Sequence, residues 1–184
     1  MSEWNPMTTD WRTGLYAGSI LNAFERQSHL VKISCPALLF RRTWANMWDN
    51  ALINHDNHTL FLAPNYLVMK LWNDHYAPYL LALEGGNEAI NAVATRSKTG
   101  RHLYLKLVNT SSENTEIKLN IASIVTVQNA SFSVIIPAEE RDSNTIASPE
   151  KIGVEKGEIT YSGNEIHTRL PGYAVGVIQI TIQP

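Results

Sequence analysis

The sequence has 184 residues, of which 44% are hydrophobic. This suits one domain with a packed core, or a small domain with an attached piece of another. Fifteen Lys and Arg residues stand against 17 Asp and Glu residues, and the formal net charge is −2. That balance gives no electrostatic basis for binding nucleic acid or an anionic membrane. No apolar run reaches the roughly 20 residues of a membrane helix, and the first residues have no secretory-signal pattern, so localisation stays open.

A helix and an apolar run are predicted first. Asp10 is a suitable N-cap, and apolar residues then recur at helical spacing as Ala17, Ile20, Leu21 and Phe24. This pattern predicts a helix over residues 11–26. The continuous apolar run 30–40 is typical of a strand buried on both faces in a parallel sheet. The single cysteine, Cys35, excludes an intrachain disulfide and is expected to be a small buried side chain of this strand.

A long loop and a second helix follow. Residues 41–63 are polar and aromatic, and include Trp44 and Trp48. They predict a long loop, and long loops inside compact domains are often functional. Pro64 suits the first turn of a helix, because its missing amide costs nothing there. We expect this helix to extend to about His75.

The second half of the sequence is patterned as strands. Its short segments alternate between apolar and polar residues, and turn residues separate them. Such spacing predicts an antiparallel β-sandwich over residues 77–184, with the helices of residues 1–76 packed against it. The polar face of one strand carries His102, Tyr104 and Lys106. The apolar faces carry Leu103, Leu105 and Leu107, then Ile117, Leu119 and Ile121, then Phe132, Val134 and Ile136, and lastly Ile178, Ile180 and Ile182.

The residue patterns alone indicate no catalytic chemistry. There is no phosphate-binding loop or catalytic triad pattern, and the six histidines never take metal-ligand spacing within a helix. We therefore expect no metal and no cofactor. Taken alone, Glu3 would be a surface carboxylate near a frayed chain end.

Several motifs, in their order and spacing, carry a family resemblance. They are SEWN at 2–5, DW at 10–11, LYAGSILNAFER at 15–26, WDNALI at 48–53, APNYLVM at 63–69, LKLVN at 105–109 and LPGY at 170–173. Together they resemble the C-terminal part of the α-L-arabinofuranosidases of glycoside hydrolase family 51. The resemblance implies a helical remnant of a (β/α)8 catalytic barrel, residues 1–76, followed by a jelly-roll-like β-sandwich, residues 77–184.

The resemblance also implies roles for individual residues. Glu3 would be the catalytic nucleophile at the C-terminal end of the seventh barrel strand, where barrel enzymes place catalytic groups. Trp4, Trp44 and Trp48 would line the sugar subsite with Arg42, although packing is an equal alternative for each.

The resemblance places the acid/base of the family in an Asn-Glu motif on the fourth barrel strand. Here the only such pairs, Asn87-Glu88 and Asn164-Glu165, fall in the strand-rich half. The acid/base and barrel strands one to six would therefore lie outside this sequence.

The implied function is part of an exo-acting retaining enzyme that releases terminal L-arabinofuranose from arabinan or arabinoxylan side chains. Without the missing catalytic barrel, we expect this part to be inactive, and its uncovered apolar surface to favour a homo-oligomer. The alternative is a non-catalytic carbohydrate-binding or scaffolding β-sandwich module. The scatter of Tyr104, Tyr161 and Tyr173 over different segments weakens that alternative. Cleavage of another glycan by the parent enzyme is a third hypothesis.

Overall fold

The chain folds into two helices and a set of mostly antiparallel strands. The computed structural model describes residues 3–6, 8–46, 48–122 and 125–183. Neither helix in these ranges is long and apolar enough to cross a membrane. The helices are α1 (Arg12–Arg26) and α2 (Pro64–Asp74). The strands are β1 (Phe40–Arg42), β2 (Ile53–His55), β3 (Leu60–Leu62), β4 (Tyr79–Leu80), β5 (Ile90–Arg96), β6 (His102–Asn109), β7 (Thr115–Asn120), β8 (Thr126–Ile135), β9 (Glu155–Lys156), β10 (Ile159–Ser162), β11 (Glu165–Leu170) and β12 (Val175–Gln183).

Two antiparallel sheets form the predicted sandwich. One has six strands in the order β4-β5-β6-β12-β8-β9, and the other has three in the order β10-β11-β7. The alternating apolar residues meet between these sheets in one core, which includes Leu105, Phe132, Ile166 and Ile178. The predicted fold class, mostly β with an antiparallel sandwich, is confirmed.

The helices cover the outer face of the six-stranded sheet. A second core joins Trp11 and Ala17 at α1 and Trp72 of α2 to Val108 and Val175 of the sheet. The central strands are therefore buried on both faces, and the helices pack on the sandwich as predicted. Because this core spans residue 76, the division into 1–76 and 77–184 stays a proposal.

Both helices begin close to their predicted starts. The helix α1 starts at Arg12, whose backbone amide donates to the Asp10 carboxylate at 3.2 Å. The Asp10 carboxylate also pairs with the Arg12 guanidinium at 2.6 Å, and this pair lowers the pKa of Asp10. In α2, Pro64 occupies the first turn as predicted, and the helix ends at Asp74.

The prediction of a doubly buried strand over residues 30–40 is wrong. Only the last residue of this run belongs to a strand, β1, and a single parallel bridge joins Pro36 to Trp4. Leu30 and Ile33 are each 72% exposed, and Cys35 is exposed as well. A buried central strand needs a paired neighbour on each edge and cover on each face. Within the described residues, the backbone of residues 35–40 pairs with Trp4 and with residues 52–53, but many side chains of the run are exposed, so it is not covered on both faces.

Residues 41–63 are also more ordered than the predicted single loop. They contribute to a small sheet in which β1 pairs with β2 in parallel and β2 pairs with β3 in antiparallel fashion. The turn between β2 and β3 is closed by Asp56, whose carboxylate accepts the backbone amides of His58 and Thr59, each at 2.7 Å. Strands of three residues are too short to show a clear alternation in the sequence.

Candidate active-site region

The segment that carries Glu3 runs parallel to the segment around Pro36. The Trp4 amide donates to the Cys35 carbonyl at 3.0 Å, and the Ala37 amide donates to the Trp4 carbonyl at 3.0 Å. The helix α1 connects these two parallel segments, which is the βαβ arrangement from which α/β barrels are built.

Glu3 and Trp4 point to opposite faces of their segment. The Trp4 side chain is 6% exposed and belongs to the helix core, with ring centroids 6.1 Å from Tyr16 and 6.4 Å from Phe24. Successive side chains of an extended segment alternate between faces. Glu3, which is exposed, therefore faces away from the helices. In a closed barrel the face opposite to the helices is the interior face. The surroundings of Trp4 fit its packing role better than sugar binding.

The strand β1 separates the other candidate residues onto two faces. Because side chains alternate, Arg42 lies on one face and Arg41 on the other. The Arg42 guanidinium lies over the Trp44 ring, 6.0 Å from its centroid. Trp44 is exposed, but this cation–π contact already occupies its ring.

Arg41 faces an open cleft that sequence reasoning did not identify. The cleft has a volume of about 750 Å³ and is lined by Leu38, Arg41, Ala45, Asn46, Trp48 and Asp49. Trp48 is 68% exposed, so its indole is available to a ligand. The pair of adjacent arginines in β1 was the signal that could have identified Arg41, since neighbours on a strand cannot share a face.

The structure does not assemble a metal centre in the parts of the chain that it describes. No three side chains among His, Cys, Asp and Glu lie together there in a way that could hold an ion. The candidate features in the described residues are therefore the exposed carboxylate of Glu3 and the cleft beside β1.

Comparison with known proteins identifies the family. Residues 4–174 match the model of the α-L-arabinofuranosidase C-terminal domain. The chain belongs to this family. The resemblance of the sequence to the C-terminal part of family 51 α-L-arabinofuranosidases is thereby confirmed.

Relatives of known sequence and structure agree with this assignment. Over 186 residues the chain is 23% identical to α-L-arabinofuranosidase A of Aspergillus niger, covering 97% of this chain but 28% of the relative. An arabinose-bound GH51 α-L-arabinofuranosidase superposes with a TM-score of 0.85 and 18% identity, covering 95% of this chain and 28% of that one. The arabinofuranosidase of Thermotoga maritima gives a TM-score of 0.82 and 17% identity, and the match covers 98% of this chain and 42% of that one. The chain thus spans less than a third of its curated relative.

In this member of the arabinofuranosidase C-terminal domain family, the motif of α1 attaches the helix to the sandwich. The Trp72 indole donates to the Asn22 side-chain carbonyl at 2.9 Å, and the Asn22 amide nitrogen donates to the Asn91 carbonyl at 3.1 Å. Arg26 donates to the Asn91 side chain and to the Ala92 carbonyl, each at 2.9 Å. These bonds fix α1, and with it the segment that carries Glu3, on the six-stranded sheet.

Proposed function

We propose that this chain is the C-terminal part of an exo-acting retaining α-L-arabinofuranosidase, with Glu3 as its catalytic nucleophile. The enzyme releases terminal L-arabinofuranose from arabinan or arabinoxylan side chains. The described residues supply the end of the catalytic barrel and the sandwich that supports it. A separate barrel segment supplies the acid/base, so this chain alone is inactive.

The placement of Glu3 is the observation that carries this proposal. It lies on a βαβ unit, on the face opposite to the helices, and its side chain is exposed. A retaining glycosidase needs two carboxyl groups about 5–5.5 Å apart, one to attack the anomeric carbon and one to protonate the leaving oxygen. Glu3 offers the carboxylate that attacks the anomeric carbon. Because its side chain is exposed, the carboxyl group that protonates the leaving oxygen can be placed beside it.

The exposure of the apolar run supports the proposal that further barrel strands pack beside it. Leu30, Ile33 and Leu39 are all exposed in a segment whose composition is that of a buried strand. Large apolar side chains that are exposed together in one segment favour an interaction site. The remaining barrel strands are the partner that this parallel segment fits.

The test is hydrolysis of an aryl α-L-arabinofuranoside with an activated leaving group. The 184-residue chain alone should show no turnover above background. Supplying barrel strands one to six, in cis or by co-expression, should restore turnover. In that complete enzyme Glu3→Gln should lower kcat by about three orders of magnitude or more.

A matched substitution controls for indirect effects. Glu88 also follows an asparagine but lies exposed in the turn before β5, so Glu88→Gln should leave turnover unchanged. The contrary outcome is robust turnover by the chain alone that survives Glu3→Gln. That result would contradict both the assignment of Glu3 as the nucleophile and the need for a second segment.

A further inference from the structure

We propose that the β-sandwich positions the catalytic end of the barrel, with Ser143 as the positioning residue. Ser143 lies in the loop of residues 138–152, between β8 and β9, and its hydroxyl holds the chain that leads from Glu3 to α1. This connecting segment comprises residues 5–6 and 8–11. The inference deepens the proposed function and rests on it for the role of Glu3, whereas the contacts themselves do not depend on it.

Buried polar side chains give this loop a defined shape. Asp142 is 7% exposed, and its carboxylate accepts the backbone amides of Ala138 and Glu139 at 3.0 Å each. Asn144 is 2% exposed, and its carboxamide donates to the Ile152 carbonyl at 3.0 Å and accepts the Ile152 amide at 2.7 Å. A loop whose buried polar groups are satisfied in this way can hold a second segment in a fixed place.

The loop contacts the connecting segment at two points in the described residues. The Trp11 amide donates to the Asp142 carbonyl at 2.7 Å, and the Ser143 hydroxyl donates to the Thr9 carbonyl at 2.9 Å. The same hydroxyl lies 3.1 Å from the Asn144 carbonyl, so Thr9 is the nearer acceptor. These bonds tie the sandwich directly to the chain that enters α1.

The connecting segment is also held at its other end. The Asn50 side-chain amide donates to the Pro6 carbonyl at 2.7 Å in a buried contact. Under the proposed function this segment is a loop at the C-terminal end of a barrel strand, and such loops build the active site of barrel enzymes. The bond from Ser143 to Thr9 therefore restrains this loop between Pro6 and α1.

Ser143 is the residue of the loop whose role can be tested apart from folding. Among the described side chains of the loop, only that of Ser143 donates to the connecting segment. The contact of Asp142 runs through its backbone carbonyl, and the side chains of Asp142 and Asn144 shape the loop itself. Removing the Ser143 hydroxyl should therefore loosen the connecting segment while the loop keeps its shape.

The restraint matters because the connecting segment directly follows Glu3. A segment that is ordered before the substrate binds does not have to be ordered at the transition state, and this preorganisation lowers the barrier. Misplacement of an active-site group by about 1 Å, even from a substitution far from the chemistry, can lower the rate about 100-fold. Loss of the Ser143 hydroxyl should therefore lower kcat, but it should change KM little because no group that touches the sugar is removed.

The first measurement is amide hydrogen exchange in the 184-residue chain, read at the Trp11 amide that donates to the loop. Ser143→Ala should quicken exchange at Trp11 about fivefold, and it should leave exchange at Ile178, in the centre of the six-stranded sheet, unchanged. Ser143→Thr keeps the hydroxyl and should exchange as wild type does. Ser148 is an exposed serine of the same loop, so Ser148→Ala is the matched control and should have no effect.

The second measurement is turnover of the activated aryl α-L-arabinofuranoside by the complete enzyme. Ser143→Ala should lower kcat about tenfold and change KM less than about twofold, and Ser143→Thr should restore most of the loss. Ser148→Ala should have the wild-type kcat. Leu105→Ala loosens the distant sandwich core and should also leave kcat unchanged below its unfolding temperature, which separates positioning from stability.

Three results would overturn this inference. Unchanged exchange at Trp11 in Ser143→Ala would show that the hydroxyl does not hold the segment. Wild-type kcat in Ser143→Ala, in an enzyme that Glu3→Gln inactivates, would show that the held segment does not position the nucleophile. A loss of kcat that Ser148→Ala shares would show that the effect does not come from this hydroxyl.

Failure of the proposed function has a different signature. It would appear as turnover that survives Glu3→Gln in the complete enzyme. Exchange at Trp11 would then still decide whether Ser143 holds the connecting segment, because that measurement needs neither substrate nor barrel.

Discussion

Lys106 of β6 and Glu25 of α1 form a buried ion pair between the sheet and the helix. The Lys106 side chain has no exposed surface, and that of Glu25 is 20% exposed. Burial lowers the pKa of Lys106 and raises that of Glu25, while the attraction between the two charges opposes both shifts. The second carboxylate oxygen of Glu25 is buried without a hydrogen bond. The pair thus fixes α1 on the sheet at a considerable desolvation cost.

A double-mutant cycle should measure this coupling. Glu25→Gln leaves a fully buried charge on Lys106 and should lower the free energy of unfolding by about 3–5 kcal/mol. Lys106→Met should cost less, because the partly exposed Glu25 can still reach water. The double variant should be more stable than Glu25→Gln alone, since it retains no unpaired charge. Additive effects in urea unfolding would show that the two side chains do not interact.

Leu105 should be essential for the sandwich core. It is 4% exposed and lies between the two sheets. Leu105→Ala removes buried methyl groups and leaves a cavity, so the free energy of unfolding should fall by about 2–5 kcal/mol. The same substitution at the exposed Leu30 is the matched control and should change stability by less than about 0.5 kcal/mol. Equal losses at both positions would show that the inward face has been assigned wrongly.

Asp142 should contribute stability that depends on pH. Its carboxylate pairs with Lys151 at 2.5 Å and accepts the backbone amides of Ala138 and Glu139 at 3.0 Å each, and these contacts lower its pKa below the ordinary 3.8. A carboxyl group with a lowered folded-state pKa stabilises the protein above its unfolded pKa, and this stabilisation is lost as the pH falls through the folded-state value.

The substitution Asp142→Asn tests this pH dependence. The variant should be less stable than wild type at pH 7, and the difference should shrink as the pH is lowered below 3.8. Urea unfolding measured from pH 7 to pH 3 checks the trend. A difference that is the same at every pH would mean that the carboxylate charge contributes nothing.

The exposed apolar run should cause the isolated chain to associate. Leu30, Leu39 and Phe40 are each more than half exposed, and such patches are usually hidden in a complex. Light scattering at micromolar concentration should report a dimer or larger species. Phe40→Asp should shift the population towards monomer, whereas Tyr161→Asp on the sandwich should not. A monodisperse wild-type monomer would contradict this expectation.

The sandwich could be predicted from local sequence patterns. The features that these patterns did not predict depend on tertiary contacts. The alternation at Leu105 and Ile178 is a property of neighbouring residues, so it could be read directly. The same alternation placed Lys106 on a polar face, yet that face is buried, because α1 lies over it. The pattern of a short sequence segment cannot show that a helix distant in the chain buries one of its faces.

The candidate site was predictable in part for the same reason. The family motif singled out Glu3, and its face follows from the buried position of Trp4. The cleft brings Arg41 together with Trp48 and Asp49 across a turn that has no periodic pattern, and only the folded chain shows this. The run around Cys35 reads as a buried strand, but its burial depends on neighbours that the described residues do not supply.

Covalent trapping at Glu3 tests the central claim most directly. In the complete enzyme, removing the acid/base glutamate slows hydrolysis of the glycosyl-enzyme more than its formation from an activated aryl α-L-arabinofuranoside. The intermediate should then accumulate, and peptide mass spectrometry should find one arabinofuranosyl residue on Glu3. An adduct on a different carboxylate, or single-turnover product of inverted configuration with no adduct, would contradict the assignment of Glu3 as the nucleophile of a retaining arabinofuranosidase.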